Sequence, residues 1–374
     1  MTEASTPRVL ATFLEAVRID SPSGEEAAFG RWCAERLRAA GCTVRFDETG
    51  SVSGSDSGNL IAELPGNASG PVVVLCAHLD TVMPGRGIRP VVADGVVRSS
   101  GDTVLGSDDK AGIAAIIEAL ERVAQRGIAT PPVRVLFTTG EEMGLQGAKA
   151  ISPADCTGDV CIVLDAHGAV GGIVGAAPTQ HTFRAEFTGV PAHAGVEPEK
   201  GRSALVMAAR AVCAMRLGRL DAATTANVGE IRGGTATNVV TASCVMRGEC
   251  RSLDADTAEK VRLEMDEALR AAAESGGGSV DIEWKLEYEG FRFAADDPIV
   301  ELVAGALLSI GIEPTVFETG GGSDANVLTA KGLPSIVLAC GMTDVHGTSE
   351  SIAVADLVAL VDLLVAVLSR AATA

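Results

Sequence analysis

Short, β-branched apolar runs that alternate with helix-period segments constrain this chain most. Residues 71–76, 133–138, 160–164 and 335–339 carry few polar side chains, which suits strands buried on both faces. Between them, residues 109–126 set Ile113, Ile116, Ile117 and Leu120 on one helical face. Strand–helix–strand alternation predicts an α/β fold around a mostly parallel sheet. Two more helices are expected between residues 7 and 40, the second starting near Gly24 with Glu25 and Glu26 in its first turn.

The middle of the chain has another rhythm. Strands are expected over 181–188, 225–231, 239–251 and 279–287, with helices over 202–217 and 256–274. That β-α-β-β-α-β order is ferredoxin-like. The α/β pattern resumes with a helix over 299–310, the run 335–339 and a final helix over 352–369. At 374 residues two domains are expected. The economical division is an α/β frame, residues 1–179 and 291–374, interrupted by an inserted α+β domain, residues 180–290.

Composition narrows the function. A net charge of −19 repels phosphate backbones and anionic membranes, and 3% aromatics leaves few stacking platforms, so nucleic acid is excluded as a partner. The N-terminal segment lacks the basic start and unbroken apolar stretch of a secretory signal, and no run approaches a membrane span. The nine cysteines are scattered and without CxxC spacing, as expected of small buried hydrophobes in a reducing compartment. A cytoplasmic protein is expected.

Most of the apolar runs are followed by residues that carry chemistry. They are His78 and Asp80 in CAHLDTV, Glu141 and Glu142 in TTGEEMG, Asp165 in VLDAHG, and His346 in DVHGTSE; Asp108 in GSDDKAG opens a helix. In an open α/β sheet, groups beyond the carboxyl ends of the strands converge on one edge. Taken singly, each has a plain explanation: a surface histidine, a capping Asp, a solvated Glu pair. Together they can hold two divalent metals and leave one carboxylate free for acid–base work. Asp80, two residues after His78, is placed to accept its second ring N–H. Zinc fits the mixed imidazole and carboxylate set best, with cobalt and manganese as alternatives.

The motifs AHLDTV, LGSDDKAG, TTGEEMGLQGA, LDAHG, GVPAHAGVEPEKGRSA, GGTATNVV, TGGGSDANVL and VHGTSE run in family order over nearly the whole chain. Through them the sequence resembles the acetylornithine deacetylase, succinyl-diaminopimelate desuccinylase and peptidase T family of dinuclear zinc hydrolases, and most of all its peptidase T-like branch. The resemblance implies a zinc-exopeptidase catalytic domain with the inserted domain acting as a lid and pairing two subunits. It implies that His78 and Asp165 hold one metal, that Glu142 and His346 hold the other, and that Asp108 bridges them through a segment with a cis bond to Asp109. Asp80 would orient His78, and Glu141 would be the general base for a metal-bridging water. His193, in AHAG, would stabilise the oxyanion, in its own subunit or its partner's. Asn238 and the loop of Gly321, Gly322 and Ser323 would contact substrate, and Arg292 could meet a carboxylate. His167 would at most support Asp165, and His181 reads as structural. The expected activity is exopeptidase hydrolysis of short peptides from the amino end. The alternatives are a carboxypeptidase or N-acyl amidohydrolase, a non-catalytic descendant, and a nucleotide-binding protein using the glycine loop, which lacks GxxxxGK[ST].

Overall fold

The computed structural model describes residues 7–372. Contacts divide it into two compact units. The first comprises the chain up to Gly175, Phe293–Glu318 and Ser323 onward; the second comprises Ala176–Arg292 and Thr319–Gly322.

The centre of the first unit is four parallel strands in the order Val133–Thr138, Val73–His78, Val160–Ala166, Ser335–Ala339. Antiparallel strands extend both sides: Leu60–Leu64 and then Thr43–Phe46 on one, Gly172–Ala177 on the other. The central strands are largely apolar before their carboxyl ends because helices cover both faces. The register pairs His78 with Thr138 and Ala166 with Ala339, so the carboxyl ends of all four strands lie level. A small antiparallel sheet, Met342–Thr343, Ser351–Ala353, Val96–Ser99 and Pro90–Ala93, lies off the main one.

Helix Ser107–Arg126 departs from the one-sided burial expected of it. Ile113, Ile116, Ile117 and Leu120 are buried, but so are Ala111, Ala114, Ala115 and Ala119. It packs on strands Val73–His78 and Val160–Ala166, and helices Arg8–Ala16, Ala27–Ala39 and Val354–Ala371 also pack against it. Alanines on the outer side let those helices approach. The helix expected from Gly24 begins later, at Ala27. Gly24 takes a left-handed turn, and Glu26 is buried, accepting hydrogen bonds from Gly140 N (3.1 Å) and Ser55 Oγ (2.6 Å). The carboxylate read as a helix-dipole partner is thus a tertiary contact to the loop carrying Glu141 and Glu142.

In the second unit, strands Gly218–Arg219, Thr224–Gly233, Ser243–Ser252, Thr179–Thr188 and Ser279–Tyr288 form an antiparallel sheet in that spatial order. Helices Ala204–Ala214 and Ala255–Ser275 cover one face, packing Met207 and Met265 over Phe183, Phe187 and Met246. All nine cysteines are free thiols; eight are buried and Cys213 is exposed. Among the described residues no helix is long and apolar enough to cross a membrane.

Candidate metal centre

The first unit brings the strand-end residues together. His78 is the last residue of its strand and Asp165 the second-last of the next. Glu141 and Glu142 follow strand Val133–Thr138 by a short loop. Asp108 lies in the first turn of helix Ser107–Arg126 with non-helical backbone angles (φ −83°, ψ 104°), and the Asp108–Asp109 peptide is cis. His346 sits in the left-handed region (φ 64°), in the turn between two strands of the small sheet.

Three groups of side chains hold potential ligand atoms within 4.8 Å of one another: His78, Asp108 and Asp165; Asp108, Glu142 and His346; and His78, Glu141 and Glu142. Asp108 presents one carboxylate oxygen to each ring. Oδ1 lies 3.0 Å from His78 Nε2 and Oδ2 lies 3.3 Å from His346 Nε2. Asp165 Oδ1 is 3.6 Å from His78 Nε2. Glu142 Oε1 is 2.8 Å from His346 Nε2, yet this buried oxygen makes no hydrogen bond. Two donor atoms side by side but out of hydrogen-bond alignment suit a shared cation.

The electrostatics agree. Burial opposes a charged Asp108, but His346 and His78 hold its carboxyl below the usual range. His346 is pushed up to about 10 by its contacts with Asp108 and Glu142. Burial opposes a charged His78, yet Asp108, Asp165 and Asp80 together lift it well above its ordinary value. Burial first, then the charges of Asp108 and Glu142, raises Asp165 to about 7. Burial also drives Glu141 well up, with Asp165 adding to it. The cluster is therefore built around positive charge. Divalent cations would supply that charge and leave the imidazoles neutral to ligate.

Asp80 holds more than a histidine ring. His78 Nδ1 lies 2.9 Å from the Asp80 carbonyl oxygen and 3.4 Å from its carboxylate. The strand ends at His78, and both the carbonyl and the carboxylate of Asp80 approach Nδ1 of its ring. The Asp80 carboxylate turns toward the Glu141–Glu142 loop. It accepts from Glu141 N (2.9 Å), Glu142 N (3.2 Å) and Ser23 Oγ (2.7 Å).

His193, Asn238, Gly321, Gly322 and Arg292 belong to the second unit. His193 and Asn238 share one local structure: His193 bridges to Val239, and Ala194 N donates to Asn238 O (2.9 Å). Arg292 is exposed, on a two-residue strand paired with Ala176 and Ala177. A Cβ on Gly322 would meet the Tyr288 ring at 2.2 Å, and Arg251 Nη1 donates to Gly320 O (3.3 Å). Gly322 therefore has a packing reason to be glycine, whereas a Cβ on Gly320 would meet nothing within 4 Å. Ser323, in the first unit, opens helix Asp324–Ala330, its N–H donating to Asn326 Oδ1 (3.1 Å). His167 is exposed, and His181 faces Glu259 at 3.9 Å, within the second unit.

Sequence reasoning missed Ser23, Glu26, Asp324 and Glu350. Asp324 is buried, accepts a hydrogen bond from Thr138 Oγ1, and is raised to about 6 by burial. It stands in GGGSDAN, directly after the glycine loop and Ser323.

Residues 74–370 match the model of peptidase family M20/M25/M40, and the chain belongs to that family, in its peptidase T-like branch. It is thus a hydrolase of peptide bonds. The chain is 40% identical to the uncharacterized protein YqjE of Bacillus subtilis, with 98% of each chain covered, and 26% identical to peptidase T of Parabacteroides distasonis, covering 93% of this chain and 95% of the other. Among solved structures, aminopeptidase PepT from Bacillus cereus superposes with a TM-score of 0.92 at 40% identity, with 98% of each chain covered. A tripeptidase from Staphylococcus aureus superposes with a TM-score of 0.95 at 33% identity, again with 98% of each chain covered.

Proposed function

We propose that this chain is a dinuclear metal-dependent aminopeptidase acting on short peptides. The observation that carries the reading is the Asp108 carboxylate, one oxygen toward each histidine, shared by two donor sets. His78 and Asp165 would hold one ion, Glu142 and His346 the other, and Asp108 both. Zinc suits this donor set. When bound, such a pair polarises the scissile carbonyl and makes water a nucleophile at neutral pH.

The chain's own residues do the rest. Glu141 joins only one of the three donor groups, whereas Glu142 joins two, which favours Glu142 as ligand and leaves Glu141 to move protons. Its carboxylate takes a proton from the attacking water and delivers it to the departing amine nitrogen. A burial-raised carboxyl holds that proton more firmly than an exposed one would. Asp80 fixes the Glu141 and Glu142 amides and with them the aim of both side chains. His193 would donate to the developing oxyanion, with Asn238 and the Gly321–Gly322–Ser323 loop near the substrate. The aminopeptidase assignment draws on the PepT and tripeptidase relatives. A homodimer paired through the second unit is part of the same proposal, as is cytoplasmic location.

The test is a tripeptide panel offered to the zinc-loaded protein in free, N-acetylated and C-amidated forms. Cleavage lost on acetylation alone is expected. Cleavage that survives acetylation but needs the free carboxylate would make it a carboxypeptidase or deacylase and turn attention to Arg292.

A further inference from the structure

We infer that Glu350 is a positioning residue that locks the shared ligand Asp108 to the turn carrying His346. Glu350 is 1% exposed and belongs to none of the three groups of potential ligands. Its carboxylate instead accepts four hydrogen bonds from the segment leading into helix Ser107–Arg126. Oε2 takes Leu105 N (2.7 Å) and Gly106 N (2.8 Å); Oε1 takes Ser107 Oγ (2.5 Å) and Asp108 N (3.1 Å). Amides at a helix start lack intrahelical partners, and a carboxylate there is favoured by charge and by hydrogen bonding together.

The geometry does more than cap a helix. Glu350 and His346 lie in one tight turn, closed by Glu350 N donating to Gly347 O (3.1 Å). The left-handed backbone at His346 aims its ring at Asp108 Oδ2, 3.3 Å away. One turn therefore grips Asp108 twice, at its amide through Glu350 and at its carboxylate through His346. The turn is anchored in turn by Ser351, which pairs with Arg98 in the small sheet. Because Asp108 belongs to both donor sets, a loose Asp108 degrades both at once. This inference rests on the metal-dependent reading above.

The test is Glu350→Gln, with Ser107→Ala as a milder partner that removes one of the four bonds and leaves the turn intact. Zinc alone is titrated calorimetrically into metal-free protein, cobalt binding is followed by visible absorption, and kcat and KM are measured on a peptide the wild type cleaves. Glu350→Gln is expected to keep a folded circular dichroism spectrum, to bind zinc roughly 10–100-fold more weakly, to change the cobalt spectrum, and to lose kcat with KM little altered. Ser107→Ala should lie between it and wild type. Wild-type zinc affinity, cobalt spectrum and kcat in folded Glu350→Gln would overturn the inference. If that variant does not fold, unchanged zinc affinity in Ser107→Ala overturns it instead. A wild type that binds no zinc or cobalt would overturn the parent reading, which distinguishes the two failures.

Discussion

Single residues divide into those the sequence announces and those only the folded chain can reveal. His78, Glu141, Glu142, Asp165 and His346 were legible because each follows an apolar run, and the level strand ends bring them to one edge. Glu350, Glu26 and Ser23 were not, because their partners lie far away in the chain and no periodicity links them. Asp80 was half legible: its proximity to His78 was foreseen, its hold on the Glu141–Glu142 loop was not. The division of labour between the two glutamates makes a sharp prediction. Glu141→Gln should lower kcat by roughly 10²–10⁴-fold, the range for a lost general base. Metal content by atomic absorption should stay at the wild-type value; if metal is lost instead, the roles of Glu141 and Glu142 are exchanged.

Among the elements, helix Ser107–Arg126 shows why position matters more than amphipathic pattern. Its apolar stripe was read correctly, yet burial extends around to the alanines because other helices close over it. Gly112 faces the tightest part of that packing. A Cβ there would meet Asp109 Oδ1 at 2.5 Å and Leu164 O at 2.8 Å. Asp109 Oδ2 in turn accepts from His78 N (3.2 Å), so pressure at Gly112 reaches the site. Gly112→Ala should destabilise the protein by about 1–3 kcal/mol through overpacking, despite the better helix propensity of alanine. Urea unfolding checks it; equal or greater stability would show that the helix shifts freely. The same helix buries Lys110, whose Nζ donates to Ile19 O (2.6 Å) and stands 4.6 Å from the Phe29 ring centre. Burial lowers that amine to about 8. A buried lysine one residue past two aspartates was invisible as such, since the sequence shows only its charge.

At the scale of the whole molecule, the parallel centre and the β-α-β-β-α-β rhythm were legible from strand and helix periods alone. Strand Gly172–Ala177, whose last two residues fall in the second unit, and strand Thr315–Glu318, which pairs with it, were not foreseen. Crowded carboxylates in the first unit predict that metal and stability are linked. Chelation should lower Tm, and restoring zinc at a thousandfold excess over Kd should return about 4 kcal/mol; a Tm indifferent to chelator would count against the metal reading. His193 lies in the second unit, away in sequence from every metal-ligand candidate. His193→Ala should therefore cut kcat while leaving zinc affinity near wild type, measured by titration and steady-state rates. Unchanged kcat would remove His193 from the chemistry.

The order of the donors along the chain has a consequence for synthesis. His78, Asp108, Glu141, Glu142 and Asp165 are all made before the second unit begins, but His346 and Glu350 come after it and after strand Ser335–Ala339. A ribosome-bound chain thus holds one ring and a group of acids, with neither the second imidazole nor the clamp on Asp108. The donor group of Asp108, Glu142 and His346 can therefore form only once nearly all of the residues around it have been made.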